Sequence, residues 1–351
     1  MHNHRPFKLL AAVAILALAG GALAACKKAE DESGGGGSVV DPDGSGKQAP
    51  PEVPPLWPLT GLPGDVVERP ALSVKVENPK VARPQSGLES ADIVWEQMVE
   101  GGESRLVAVF HSQLPDSVGP VRSVRPMDGA IAGPTHGILA CSGGAAQFIA
   151  KTADAGLQVV QENSAGFYRS TDRSMPHNLY LRPADVIAQA NDSHKAPPPA
   201  EFQFAGSDAT STAAKQGTDA AMISLVLSSV SKPKWTWAAS SGTFLRSEQD
   251  EPAMAASGVR LSAANVLVIS VEIQNAGGTD AAGSPIPESM LVGSGTGLVA
   301  SAGKSLEIDW SKESAAAPLV IKTKAGEVVQ LVAGQTWVEL IPRNTGTWTV
   351  S

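Results

Sequence analysis

The chain has 351 residues, with 27 Lys and Arg against 35 Asp and Glu and a formal charge of −8. Apolar residues make up 42% and charged residues 18%, ample for packed cores, which excludes a wholly disordered chain. No cationic surplus exists to neutralise phosphates, so general nucleic-acid binding is excluded as well.

Residues 1–25 contain no Asp or Glu. His2, His4, Arg5 and Lys8 make a positive start, and Leu, Ala, Val, Ile and Gly fill 9–25 without interruption. This order is that of a secretory signal. It ends in Leu23-Ala24-Ala25-Cys26, followed by Lys27-Lys28. The segment resembles a bacterial lipobox, in which the Cys receives diacylglycerol and becomes the mature N-terminus. Each buried methylene of such an acyl anchor contributes about 0.8 kcal/mol. Cleavage would remove Arg5 and Lys8 and leave a more acidic mature chain. Attachment to the membrane would therefore rest on the lipid rather than on attraction to anionic headgroups. No later run reaches about 18 apolar residues, so no further span is predicted. An uncleaved membrane anchor or an ordinary signal with a chance Cys is the alternative.

Residues 26–56 hold the Cys and then a stretch with six Gly and five Pro, which reads as a flexible tether. A Gly-rich chain of this length has an rms reach of roughly 30 Å. Within it Asp41-Pro42-Asp43-Gly44 is too short for a calcium loop and reads as a turn.

Length suggests two domains. Residues 57–195 read as an N-terminal α/β domain. Strand-like runs are Ala71–Glu77, Asp92–Val99, Arg105–Ser112 and Gly137–Ser142. Helix-like runs are Ala145–Ala155, closed by Gly156, and Ala184–Ala190, opened by Pro183. Residues 196–219 lose periodicity and read as a linker or long loop. Residues 220–351 carry many short β runs punctuated by Gly, Pro, Ser and Asn, which predicts a mostly antiparallel β domain. The fold class expected is therefore mixed α+β.

If Cys26 is acylated, Cys141 has no disulfide partner. Its apolar run, Gly137-Ile138-Leu139-Ala140-Cys141, suits a small core residue better than a catalytic thiol.

Standard catalytic signatures fail. Gly303-Lys304-Ser305 lacks the earlier glycine of a phosphate loop, since position 298 is Leu298, and it suits a β-hairpin. Gly293-Ser294-Gly295-Thr296-Gly297 lacks dinucleotide-binding spacing and reads as a glycine turn. No nucleophile elbow, HExxH or CxxC occurs.

An arginine and carboxylate constellation remains. Arg105 lies on an apolar run, and Arg122 and Arg125 lie between Pro120 and Pro126. Arginine grips phosphate or carboxylate with two parallel hydrogen bonds, so these residues are candidate anion ligands. The competing reading pairs them with carboxylates inside the fold. Asp92, Glu96 and Glu100 are evenly spaced and would share one face of a continuous strand. They could meet the arginines, hold a divalent ion or face water. His177 and Asn178 could orient a ligand, or could simply lock a loop.

Several segments together resemble the YerB-like lipoproteins of bacteria, a family defined by N- and C-terminal domains of unknown function 3048. The N-terminal ones include Pro58-Leu59-Thr60-Gly61-Leu62-Pro63, Asn78-Pro79-Lys80-Val81-Ala82-Arg83-Pro84-Gln85 and Gly119-Pro120-Val121-Arg122-Ser123-Val124-Arg125-Pro126. Pro176-His177-Asn178-Leu179-Tyr180 belongs with them, and Gly242–Arg246 and Gly334–Trp337 extend the likeness into the second half. The resemblance spans roughly residues 56–345 and implies this architecture and a lipid anchor on the extracytoplasmic face of the cell membrane. It implies no activity.

A weaker likeness in residue order is to the LytR-CpsA-Psr phosphotransferases. It would place Arg122 and Arg125 on a polyprenyl pyrophosphate and Asp92 or Glu96 on Mg²⁺. The segment Val124-Arg125-Pro126-Met127 lacks that family's Asp. The expectation is therefore an anchored envelope protein, non-catalytic and without a cofactor, binding an anionic glycan, a lipid phosphate or an envelope protein. A wall-polymer transferase and a structural or regulatory partner of wall synthesis are the alternatives.

Overall fold

Three apolar runs in the first half form adjacent strands β1 (Leu72–Glu77), β2 (Ile93–Met98) and β3 (Ser104–Phe110). The computed structural model that shows them describes residues 54–280 and 283–351. The predicted leader, Cys26 and nearly all of the tether lie outside the described residues.

After β3 the chain makes a short helix, α1 (Asp128–Ala132), then β4 (Ile138–Cys141), α2 (Ala146–Asp154) and β5 (Gln158–Gln161). Strands β1, β4 and β5 run parallel, with α2 as the β4–β5 crossover. The second half supplies β6 (Met222–Val226), β7 (Pro233–Ala238) and β8 (Thr243–Glu248). It continues with β9 (Asn265–Thr279), β10 (Gly293–Ser301), β11 (Lys304–Lys312) and β12 (Val320–Thr323). It ends with β13 (Thr336–Pro342) and β14 (Thr347–Val350).

The halves share one sheet, in the order β12-β11-β10-β9-β13-β2-β3-β1-β4-β5. Strand β13 joins its two halves, lying parallel to β9 on one side and to β2 on the other. A smaller sheet holds β8-β7-β6-β14. One face of the large sheet (Val74, Val94, Ala108, Val268, Trp337) packs on the inner face of the small one (Ile223, Leu225, Trp235, Phe244). The opposite face (Trp95, Val107, Leu267, Val338) is covered by Leu59, Phe202 and the α1 residue Ile131. This is a mixed α+β fold, mostly β.

Two local expectations are corrected, and the hairpin expected at Gly303-Lys304-Ser305 is found. The glycine-rich run at 293–297 is no turn but the first half of β10. Its glycines let neighbours close in: a Cβ on Gly297 would strike the Val268 carbonyl, and one on Gly295 the Trp310 ring. Ala302 and Gly303, both at positive φ, form the tight turn between β10 and β11, so the Gly-Lys-Ser segment belongs to a hairpin. The stretch 196–219 is no free linker. Gln203–Phe204 pairs with Gln330–Leu331, Thr212–Gln216 is helical, and Thr218–Asp219 pairs with β11. Among the described residues no helix is long and apolar enough to cross a membrane.

Candidate functional site

Arg105 and Glu77 stand in register on β3 and β1, and share the face that carries Lys75. The segment at 120–125 is laced to the end of β1. The Glu77 amide donates to the Pro120 carbonyl (2.9 Å) and the Arg122 amide to the Lys75 carbonyl (2.8 Å). This lacing brings the predicted arginines together. Arg122 Nη2 reaches Glu77 Oε1 at 2.5 Å, and His177 Nδ1 lies 2.8 Å from Glu77 Oε2. Arg125 Nη2 donates to Glu100 Oε2 (2.9 Å), and its Nε lies 2.6 Å from Glu100 Oε1.

Beneath them is a fully buried pair, Lys75 Nζ to Asp128 Oδ1 at 2.7 Å. Gln97 Nε2 and the Arg125 amide also donate to Asp128, each at 2.7 Å. Burial pulls the Lys75 ammonium down to about 8 despite Asp128. Arg105 differs from its neighbours. Among the described residues its guanidinium donates only to the Ser123 carbonyl (3.0 Å) and meets no carboxylate at ion-pair distance. Burial, then Arg125, lowers it to about 10. It faces a cleft of about 170 Å³ lined also by Glu77, Glu100, Glu103, Ser104, Arg125 and Asp280. Fixed, desolvated donors aimed into such a cleft can hold one small anionic group.

Other predicted residues lie elsewhere. Strand β2 ends at Met98 and Glu100 sits in a following 3-10 turn, so Asp92, Glu96 and Glu100 do not gather on one strand face. Asp92 is buried at the end of β3, accepting the His111 and Ser112 amides (2.6 and 2.9 Å) and the Ser112 hydroxyl. Asn178 binds the Ser170 carbonyl and Arg169, which is a loop lock. Among the described residues no three His, Cys, Asp or Glu side chains gather as metal ligands. Cys141 is buried in β4, and burial pushes its thiol up to about 11, which suits a core residue.

Glu96 points to the opposite face, into a cluster absent from the sequence reading. Arg246 of β8 is fully buried between the sheets. Its Nη2 donates to Glu96 (2.5 Å), Nη1 to Glu339 (2.8 Å), and Nε and Nη2 to Glu248 (3.0 and 2.9 Å). The guanidinium lies 4.5 Å from the Trp337 ring centroid and 5.3 Å from that of Trp235. Inward alternation of Phe244, Arg246 and Glu248 was the available signal, since a cation at an inward position demands a partner.

The DUF3048 N-terminal domain matches residues 59–196, and its C-terminal domain matches residues 223–338; both are described as of unknown function. YerB of Bacillus subtilis (strain 168), named as a candidate lipoprotein, is 27% identical over 302 residues, covering 81% of this chain and 86% of that protein. The crystal structure of Bacillus subtilis YerB aligns with a TM-score of 0.69 at 23% identity, covering 84% of this chain and 99% of that one. That likeness is one of fold. With both domains matched in order across most of the folded chain, the protein belongs to the DUF3048, or YerB-like, family.

Proposed function

We propose that this is a lipid-anchored protein of the bacterial cell envelope that binds an anionic group in the cleft at Arg105. The anchor reading rests on the lipobox ending at Cys26 and on the lipoprotein name of the relative. The binding reading rests on one observation: Arg105 is desolvated, lines the cleft, and makes no ion pair with a carboxylate among the described residues. Arg122 and Arg125 are engaged by Glu77 and Glu100, which leaves Arg105 as the cleft's cation for a ligand. A transferase using Asp92 or Glu96 beside these arginines is not favoured, because Asp92 is tied to the end of β3 and Glu96 to Arg246.

Inorganic pyrophosphate, titrated calorimetrically into the full chain, is the probe. Saturable binding that weakens at least tenfold in Arg105→Met supports the reading. No saturable heat, or equal binding by the variant, overturns it and favours a purely structural or regulatory partner. For the anchor, Cys26→Ala should move the protein from the membrane to the soluble fraction. Unchanged retention would refute lipid attachment.

A further inference from the structure

Beside Arg246, on the face of the large sheet turned away from Arg105, a cavity of about 400 Å³ opens between the sheets. Small-molecule pockets run from roughly 300 to 1,000 Å³. Its inner wall is apolar: Leu88, Leu106, Leu261 and Trp337. Its outer part carries two ion pairs. Arg83 Nη2 lies 3.0 Å from Glu248 Oε2, and Lys80 Nζ lies 2.9 Å from Glu251 Oε1. Arg83 Nε donates to the Asn78 carbonyl, while Nη1 has no partner among the described residues. Lys80 and Glu251 are well exposed, so their pairing is weak and open to exchange.

Arg246 does not tilt this balance, because the Glu96 carboxylate answers its charge. Two cations and two anions at the rim give no net attraction to a plain anion or cation. They complement a ligand carrying both charges, whose remaining surface must be apolar to meet the inner wall. We infer that this cavity binds an apolar α-amino acid or short peptide with free termini. The side chain enters toward Leu88, Leu106 and Leu261. The carboxylate meets Arg83 and Lys80, and the ammonium meets Glu248 and Glu251.

The test is calorimetric titration of the full chain with leucyl-leucine and with its acetylated, amidated form. The expected result is saturable binding of the free dipeptide, at least tenfold weaker for the capped one. Arg83→Met should weaken the free dipeptide at least tenfold. Lys80→Met, at an exposed position, should weaken it about threefold. Saturating pyrophosphate should leave the dipeptide affinity unchanged. No saturable binding, equal binding of the capped form, indifference to both substitutions, or displacement by pyrophosphate would each overturn the inference. Failure of pyrophosphate itself to bind would bear on the Arg105 cleft alone.

Discussion

Glu96 and Glu339 stand in register on adjacent parallel strands, both fully buried, with one arginine from the facing sheet between them. Two ionised carboxyls so placed would repel each other without solvent to screen them. Burial, then the neighbouring Glu96, raises Glu339 well above the ordinary carboxylate range. Burial opposes the charge on Glu96 too, but Arg246 and hydrogen bonds from Glu339 and Ser104 outweigh it and hold Glu96 low. Glu339 therefore keeps its proton and donates it to Glu96, which accounts for the oxygen Oε2 that accepts no bond.

Glu339→Gln should then cost under about 1 kcal/mol, since an amide can donate to Glu96 and accept from Trp235 as the acid does. Arg246→Met strands the Glu96 charge and should cost about 3–5 kcal/mol. Urea unfolding of the two variants checks this, and equal losses would refute the assignment of the proton.

Arg105 and Arg125 should separate stability from binding. Arg125→Ala leaves Glu100 without its partner in a largely buried place and should cost about 3 kcal/mol. Arg105→Met removes a desolvated cation beside other cations, so stability should hold or rise while pyrophosphate affinity falls. Thermal midpoints read against calorimetric affinities would show the split.

Glu201 gives a pH signature. It is buried, accepts the Leu319 amide, and is pushed by burial from 4.5 to about 7. An acid raised on folding adds stability below its unfolded value and loses it as pH rises through the folded one. Between pH 4.5 and 7 the protein should thus lose up to roughly 3 kcal/mol that Glu201→Gln retains. Parallel stability curves for the two proteins across that window would contradict this.

Gly297→Ala should destabilise by about 1–3 kcal/mol, because the new methyl meets the backbone of β9. Gly206→Ala, where the added methyl meets open space, should lie within about 0.5 kcal/mol of the parent. Denaturation midpoints distinguish the two.

What could be read in the sequence was local. Leu72–Glu77, Ile93–Met98, Ser104–Phe110 and Ile138–Cys141 are apolar runs fully or almost fully buried on both faces, so their patterns stand out. The grouping of Arg105, Arg122 and Arg125 was legible from a strand followed by a proline-bounded segment. Their partner Glu77 was not, because register between β1 and β3 is a tertiary fact. Gln158–Gln161 is too short to announce itself, and Gly293–Gly297 carries turn chemistry that crowding by Val268 and Trp310 overrides. Arg246 and Glu96 are 150 residues apart, a distance over which spacing says nothing.

The position of Thr336–Pro342 bears on the order of assembly. Ile93–Met98 keeps an open row of amides and carbonyls on one side until that late segment slots in. The early strands cannot reach their final neighbour set while synthesis is under way. A polypeptide wired in this manner leaves that edge of Ile93–Met98 unpaired until residues 336–342 are at hand, and their docking joins early and late strands into one sheet.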